Sequence, residues 1–417
     1  MNKILQAKLS LMMFLEFFIW GAWYSTVAVF MTSNGMENLT HWPFTVNPIA
    51  AIIAPFFVGL IADRYFATEK VLGTLHILGA FFMFLTPMAV EQPVLFILLL
   101  LAYNLCYMPT MSLANTLSFH HIDDQEKDFP IIRVFGTIGW IVAGLAISFV
   151  LGMFVAENVK PEQTALPLYM TAAASLLLGV YSFSLPHTPP PAAGEKVSIR
   201  SIVGIDAFKQ LGSRSFYVFL FSSFLLCIPL AAYYNFTQIF IGNAGFENIA
   251  ATLTIGQMSE VLFMVLIPAM FIRLGVKWML AAGMLAWVLR YALFAVGATE
   301  PTTWMILAGI ALHGICYDFF FVTGQIYVDK KSTAEIRGQA QGLIVLITYG
   351  VGMLIGAQIA GMVYNSFLGT AESLTLSQWY DFWWIPAIFA AAVMIFFIIF
   401  FNDKVLDEET TADDITI

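Results

Sequence analysis

Long apolar runs recur from one end of the chain to the other, and short polar segments separate them. An α-helix needs about 20 predominantly apolar residues to cross the roughly 30 Å hydrocarbon core of a membrane. The runs have this length, so the pattern predicts an all-α integral membrane protein with twelve spanning helices. The predicted spans are residues 9–31, 42–62, 71–90, 93–118, 131–155, 165–185, 215–241, 249–272, 277–297, 302–325, 339–364 and 380–401.

The longest polar connection divides the spans into two sets of six. It opens with Pro186-His187-Thr188-Pro189-Pro190-Pro191, and a proline-rich segment resists helix continuation. Paired six-helix bundles are typical of transporters in which a central solute site lies between two rocking halves. The predicted parts are an N-terminal bundle at 1–185, a cytoplasmic linker at 186–214, a C-terminal bundle at 215–402 and a cytoplasmic tail at 403–417.

Basic residues indicate how the spans are oriented. Most of the 18 lysines and arginines lie in the termini and the even-numbered loops, whereas the odd-numbered loops contain Lys160. Loops rich in basic residues stay in the cytoplasm. Both termini are therefore predicted to be cytoplasmic.

Composition excludes several classes of function. Charged residues make up 11% of the chain, whereas soluble domains carry about 25%, and no stripe of basic residues marks a nucleic-acid surface. Cys106, Cys227 and Cys316 all lie in apolar runs without metal-ligand spacing. The sequence also lacks a nucleotide-binding loop and a catalytic constellation. We therefore expect no enzyme activity, no cofactor, no metal site and no nucleic-acid partner.

Ionisable residues inside the predicted spans are few, and such residues usually face a bundle interior or a water-filled cavity. Gln257 and Glu260 share a face of span 8 at i,i+3 spacing, and His313 and Tyr317 share a face of span 10 with Asp318 one step round. These residues are candidates for binding a polar solute. Glu260 and Asp318 are also candidates for proton coupling, because burial disfavours the charged form of a carboxyl group. The alternative is that they make structural hydrogen bonds between helices.

Span 5 offers a second set of candidate solute contacts. Arg133, Thr137 and Trp140 lie along one stripe and provide a guanidinium fork, a hydroxyl and an aromatic plane for stacking. Span 7 also contains a polar and aromatic patch that could face a cavity, formed by Tyr233, Tyr234, Asn235 and Gln238; Tyr234 is the candidate solute contact among them. The alternative for Arg133 is that its side chain extends to the nearby cytoplasmic surface.

Two further ionisable residues, Glu16 in span 1 and Arg290 in span 9, lie at different depths of the membrane. We expect them not to pair with each other. Each is predicted to be structural rather than to contact solute.

Short motifs along almost the whole chain resemble those of a known family. Gly59-Leu60-Ile61-Ala62-Asp63-Arg64 is similar to the loop signature between spans 2 and 3 of the major facilitator superfamily. Within that superfamily, the order and spacing of the motifs resemble the nucleoside:proton symporter family, which includes bacterial nucleoside and xanthosine permeases. The other motifs are Trp20-Gly21-Ala22-Trp23, Tyr107-Met108-Pro109-Thr110, Asn115-Thr116, Asp128-Phe129-Pro130-Ile131-Ile132-Arg133-Val134-Phe135-Gly136-Thr137-Ile138-Gly139, Leu185-Pro186-His187, Ser259-Glu260, Leu289-Arg290-Tyr291-Ala292-Leu293-Phe294, Asp318-Phe319-Phe320 and Arg337-Gly338-Gln339-Ala340-Gln341-Gly342.

The resemblance implies a major facilitator fold in the bacterial inner membrane and a pocket that contacts the nucleobase and ribose. The chain departs from the family in span 7, where Ala231 and Tyr234 stand at positions of amide side chains, and at His313, where tyrosine is familiar. These departures leave the fold unchanged but alter the hydrogen-bond pattern that selects the solute. The family's pocket residues fall on Arg133, Thr137, Trp140, Gln257, Glu260, Tyr317 and Asp318.

The residues and the resemblance together predict a proton-coupled importer of nucleosides that works by alternating access. We expect it to function as a monomer surrounded by membrane lipid. A major facilitator symporter for a sugar or oligosaccharide is the first alternative, since aromatic rings and carboxyl groups beside an arginine would also suit that solute. An integral membrane enzyme or a solute sensor is the remote alternative.

Overall fold

Helix makes up 84% of the computed structural model, which describes residues 2–58, 65–190, 200, 203–299, 302–333 and 335–403. Within these ranges there is no β-strand, and nine helical segments are long and apolar enough to cross a membrane. The predicted all-α membrane fold is therefore confirmed. Outside the described residues lie the loop motif at 59–64, residues 191–199 and 201–202 of the predicted linker, and the tail beyond Asp403.

The helices follow the predicted apolar runs, except for a short helix at Ile205–Gln210, which lies within the predicted linker. Those of the first half are α1 (Lys3–Tyr24), α2 (Val27–Thr32), α3 (Pro43–Phe57), α4 (Thr68–Leu85), α5 (Pro93–His121), α6 (Gln125–Leu145) and α7 (Leu166–Ser182). Those of the second half are α8 (Ile205–Gln210), α9 (Arg214–Asn243), α10 (Ile249–Thr299), α11 (Thr303–Ala311), α12 (His313–Tyr317), α13 (Thr323–Lys331), α14 (Arg337–Val345), α15 (Met353–Leu368) and α16 (Leu376–Phe400). Turns of π-helix continue α6 at Ala146–Val150, α12 at Asp318–Val322 and α14 at Leu346–Gly352.

Predicted spans 8 and 9 are both contained in α10. This helix has 51 residues and breaks at Gly275, whose φ of 66° lies in the left-handed region that favours glycine. Since about 20 residues suffice for one crossing, α10 is long enough for both spans. Spans 2 and 6 correspond to the shorter helices α3, of 15 residues, and α7, of 17 residues.

The chain folds into two compact units. Unit 1 comprises Met1–Ile202, Tyr234–Thr254 and Leu368–Ser373. Unit 2 comprises Val203–Tyr233, Ile255–Phe367 and Leu374–Ile417. The bundle boundaries expected from the sequence stay a prediction.

In unit 1, α1 and α6 lie in close contact because glycine occupies the crossing. A Cβ atom at Gly139 would fall 2.1 Å from the carbonyl oxygen of Phe14. One at Gly21 would fall 2.9 Å from the ring of Trp140. Small residues let helix backbones approach in this way. The close approach places the span 5 candidates directly beside the side chains of α1.

In unit 2, glycine residues likewise allow α10 and α12 to lie in close contact. A Cβ atom at Gly314 would lie 2.5 Å from the backbone oxygen of Ser259, and one at Gly256 would lie 3.1 Å from Cβ of His313. The Ser259 hydroxyl donates to the carbonyl oxygen of Ala311 and accepts a hydrogen bond from the Gly314 amide at 2.9 Å. These contacts fix Glu260 and His313 on facing helices.

Candidate functional site

Glu260 and His313 meet in unit 2. Glu260 Oε2 lies 4.0 Å from His313 Nε2, and the two side chains are 16% and 2% exposed. The sequence predicted both as candidates but could not indicate that they face each other. Their contact places a carboxyl group and an imidazole, both able to exchange protons, side by side within a membrane-spanning unit.

Asp318 is completely buried at the start of the π-helical turn that follows α12. Neither of its carboxylate oxygens has a hydrogen-bond partner among the described residues. Glu260 is near enough for the two charges to act on each other. Burying an ionised carboxylate without a partner costs several kcal/mol, so this arrangement favours the protonated form of Asp318. Turns of π-helix are often found at functional sites.

Two aromatic rings lie next to His313 in unit 2. The imidazole stacks on the ring of Tyr233, with 5.3 Å between centroids and 17° between planes, and lies 5.9 Å from the ring of Tyr317. The hydroxyl of Tyr349 donates to that of Tyr317. Tyr349 was not predicted from the sequence, because tyrosine in an apolar run carries no distinguishing signal.

Gln257 lies one turn before Glu260 on α10. Its Oε1 atom is buried and accepts no hydrogen bond from the described residues. A buried acceptor left without a donor costs about 1–3 kcal/mol. The amide oxygen is therefore suited to accept a hydrogen bond from a bound solute.

Arg133 in unit 1 packs against α1. Its guanidinium carbon lies 4.1 Å from the centroid of the Phe17 ring, which is a cation–π geometry. A Cβ atom at Gly136 would come within 2.9 Å of Arg133 Nη1. The sequence left open whether Arg133 contacts solute or extends to the cytoplasmic surface. This packing favours a guanidinium that lies among the side chains of unit 1.

An aromatic cluster is connected to Arg133 through Phe17, whose ring lies 6.1 Å from that of Trp20. The rings of Trp20 and Trp140 are 5.4 Å apart, those of Tyr24 and Trp140 are 6.2 Å apart, and those of Tyr24 and Tyr234 are 5.4 Å apart. Thr137 is half-buried one turn of α6 before Trp140. Trp140 and Tyr234 were predicted candidates, whereas Trp20 and Tyr24 were not assigned a role from the sequence. The indole Nε1 of Trp20 is buried and donates to no described residue.

Gln238, which belonged to the predicted polar patch of span 7, has a structural role in unit 1. Its Nε2 donates to the carbonyl oxygens of Tyr24 and Tyr234, each at 3.2 Å. Its Oε1 accepts from the amide of Ala28 at 3.1 Å. This amide therefore fixes the end of α1 and the aromatic cluster instead of facing a cavity.

The structure thus collects the candidates into two groups, one in each unit. Unit 2 contains the carboxyl groups of Glu260 and Asp318 and the imidazole of His313, together with an amide oxygen that accepts no hydrogen bond from the described residues and several aromatic rings. Unit 1 contains a guanidinium with an aromatic cluster. Among the described residues, no cluster of three or more His, Cys, Asp or Glu side chains is arranged to hold a metal ion.

Comparison with known proteins gives a match over nearly the whole length. The chain matches the family model described as nucleoside H+ symporter over residues 2–405. The Escherichia coli (strain K12) protein YegT is 41% identical over 413 residues, which cover 97% of this chain and 95% of YegT. The xanthosine permease of the same organism is 30% identical, with 94% of each chain covered.

A solved structure agrees with these sequence matches. The crystal structure of the nucleoside transporter NupG superimposes with a TM-score of 0.82 at 28% identity, covering 97% of this chain and 100% of that chain. Nucleoside permease NupG of Escherichia coli (strain K12) is 29% identical in sequence, with 96% of each chain covered. The similarity therefore extends over the helices of both units.

Proposed function

Because this chain belongs to the nucleoside H+ symporter family, we propose that it imports nucleosides together with protons across the bacterial inner membrane. It is a membrane-embedded transporter and not an enzyme. The observation that carries the proton-coupled part of the proposal is Asp318, a fully buried carboxyl group whose oxygens have no hydrogen-bond partner among the described residues.

Asp318 and Glu260 supply the proton coupling. An unpaired buried carboxylate is costly, whereas the neutral acid is not. Protonation therefore favours the arrangement in which Asp318 is buried, and loss of the proton favours one in which it reaches water. Glu260, opposite His313, takes part in the same exchange, because its charge acts on Asp318.

The remaining candidate residues bind the nucleoside. In unit 2, Gln257 accepts a hydrogen bond from the base or ribose, and Tyr317 contributes a hydroxyl. In unit 1, Arg133 and Thr137 offer donors, and Trp140 with Tyr234 provides aromatic faces for the base. Stacking of a base on an aromatic side chain contributes about 1–3 kcal/mol, so the cluster around Trp140 supports a nucleoside as the solute.

The solute and proton move by alternating access. A functional monomer is sufficient for this cycle, and the bias of lysine and arginine supports cytoplasmic placement of both termini. The linker at 186–214 and the tail at 403–417 then lie on the cytoplasmic side.

Uptake of labelled uridine and adenosine tests the proposal. Cells that lack their own nucleoside carriers are given this protein, and uptake is followed with and without a protonophore. We expect accumulation that collapses when the proton gradient is dissipated. If folded protein at the membrane takes up neither nucleoside and uptake of a labelled sugar appears instead, the nucleoside assignment is wrong.

A matched pair of variants tests the proton assignment. Asp318→Asn and Glu260→Gln retain the size of each side chain while removing the titratable group. The proposal requires that the double variant lose part of the accumulation against a gradient and part of the pH dependence of uptake. Retention of both would contradict it.

A further inference from the structure

A buried pair of a carboxyl group and an imidazole also lies in unit 1. Glu16 on α1 and His76 on α4 are 0% and 1% exposed, with Oε2 of Glu16 at 2.8 Å from Nε2 of His76. Two hydroxyl groups complete the cluster. Thr110 Oγ1 on α5 lies 2.5 Å from Glu16 Oε1, and Ser175 Oγ on α7 lies 3.2 Å from His76 Nδ1. Four helices therefore each contribute one side chain.

Each hydroxyl group also contacts a backbone carbonyl, so the carbonyl and the Glu16–His76 pair compete for the proton of that hydroxyl. Thr110 Oγ1 lies 2.6 Å from the carbonyl oxygen of Tyr107, and Ser175 Oγ lies 3.0 Å from that of His76. A hydroxyl has one proton and can donate it to one acceptor at a time. The pair takes part in three contacts: Thr110–Glu16, Glu16–His76 and His76–Ser175. When both hydroxyls donate to the carbonyls, each of these contacts needs a proton from Glu16 or His76.

Rotation of a hydroxyl adjusts the cluster to a different proton count. If Glu16 and His76 share two protons, the third contact is completed when Thr110 or Ser175 turns its proton from the carbonyl toward the pair. If the pair holds one proton, both hydroxyls donate to the pair. If it holds three, both hydroxyls donate to the carbonyls. The cluster can therefore gain or lose a proton without leaving a buried polar atom unpaired, which would cost about 1–3 kcal/mol.

Other titratable and charged groups face the pair from the packed helices. Tyr103 and Tyr107 of α5 interact electrostatically with Glu16. Cys106 of the same helix acts on Tyr103, and Arg133 of α6 acts on Tyr107. Arg133 is the permanent positive charge among these.

The pair is physically connected to the candidate solute contacts of unit 1. The Tyr107 hydroxyl donates to the backbone oxygen of Glu16 at 2.7 Å, and the Tyr107 ring lies 6.2 Å from that of Trp20. Phe17, which follows Glu16 on α1, packs under the Arg133 guanidinium. Movement of α1 that rearranges Arg133 or Trp20 around a solute would therefore also move Glu16 relative to His76.

We propose that Glu16 and His76 form a second proton-binding site, which takes up and releases one proton per transport cycle in addition to the proton carried at Asp318 and Glu260. The inference rests on the proposed proton-coupled function. The proton comes from water on one side of the membrane and returns to water on the other, with no other bond made or broken.

Proton stoichiometry tests this site. Purified protein is placed in liposomes, and the membrane potential at which net nucleoside flux stops gives the number of protons per nucleoside. We expect Glu16→Gln and His76→Gln each to lower the ratio by one proton relative to the unmodified protein. Ser118→Ala removes a buried hydroxyl of α5 that donates to Ala114, outside the cluster, and should leave the ratio unchanged. An unchanged ratio in both Glu16→Gln and His76→Gln overturns the proposal.

A measurement without solute separates this inference from the proposed function. Infrared difference spectra of the purified protein, recorded between acidic and alkaline pH, report protonated carboxyl groups directly. A carboxyl signal that is lost in Glu16→Gln but retained in Asp318→Asn supports the site even if no nucleoside is transported. If Glu16→Gln fails to fold, Thr110→Val should shift the pH at which that signal changes, because it removes one adjustable hydroxyl. The absence of any Glu16-dependent or Thr110-dependent change excludes a second proton-binding site.

Discussion

The indole rings of Trp20 and Trp140 meet edge to face in unit 1, with 5.4 Å between their centroids. Trp20 reaches this position because α1 and α6 touch at Gly21 and Gly139. Its buried Nε1 has no hydrogen-bond partner among the described residues. Both an aromatic face and a donor are therefore present next to Phe17, the ring on which Arg133 packs.

Replacing Trp20 tests its contribution to solute binding. Since base stacking on an aromatic ring contributes about 1–3 kcal/mol, we expect Trp20→Ala to weaken nucleoside binding by about 5- to 150-fold. Trp20→Phe retains a ring without the N–H group and should cause a smaller loss. The measurement is the nucleoside Kd of purified protein by calorimetry.

Trp278 supplies the control for this experiment, because its side chain is 55% exposed. Trp278→Ala should bind nucleoside like the unmodified protein. If Trp20→Ala also retained the unmodified Kd, the aromatic cluster would have no part in binding the base.

The approach of α10 to α12 gives a prediction for stability. Gly314→Ala places a Cβ atom 2.5 Å from the backbone oxygen of Ser259, and backbone cannot move as easily as the end of a side chain. We expect a loss of about 1–3 kcal/mol in the free energy of unfolding, together with weaker transport, because His313 is displaced from Glu260. Thermal unfolding in detergent measures the first effect.

Gly338 provides a matched control in α14, since no atom lies within 4 Å of the Cβ that alanine would add. Gly338→Ala should be neutral or stabilise the helix by up to about 1 kcal/mol. Equal effects of the two substitutions would mean that the α10–α12 contact does not limit stability.

The helices could be predicted from the sequence because each apolar run alone specifies its element. Their ends could not. Span 5 was predicted to begin at 131, whereas α6 begins at Gln125, where the Asp124 side chain accepts from the Lys127 amide at 3.1 Å. Span 10 was predicted to end at 325, but helix continues to Lys331. Hydropathy marks where lipid ends, while capping and backbone hydrogen bonds decide where a helix ends.

Part of the candidate site was also predictable, for a different reason. Glu260, His313 and Asp318 were identified because polar groups are rare within apolar spans. The partners of Glu16 were missed, although Glu16 itself was noted. Its contacts with His76 and Thr110 join residues 60 and 94 positions apart, and no local spacing encodes a pairing between distant helices.

Asp318→Asn gives a prediction that separates coupling from binding. The substitution removes the buried charge but retains a side chain of similar size. We expect exchange of nucleoside across the membrane at equal concentrations to persist, while the number of protons carried per nucleoside falls by one and accumulation decreases, because an amide cannot carry a proton. Both are measured in proteoliposomes with an imposed proton gradient. Asp381→Asn, at an exposed position of α16, should leave accumulation and the proton ratio intact. An unchanged proton ratio in Asp318→Asn would assign this proton elsewhere.

The burial of His41 leads to a prediction of how the stability of the folded protein depends on pH. It lies outside the spanning helices, between α2 and α3, and is 7% exposed. Burial lowers the pKa of His41 from 6.5 to about 4, and its Nδ1 has no hydrogen-bond partner among the described residues. Between these two values the unfolded chain binds a proton that the folded chain does not. The folded state therefore loses stability as the pH falls from about 6.5 toward 4.

The size of this effect follows from the shift. A difference of one pKa unit corresponds to about 1.4 kcal/mol, so the loss approaches about 3 kcal/mol near pH 4. In His41→Phe, which retains a buried ring but cannot take a proton, we expect thermal stability to fall less steeply between pH 7 and pH 4.5. At pH 7 the two proteins should differ little. Parallel pH profiles would show that His41 becomes protonated as readily in the folded state as in the unfolded chain.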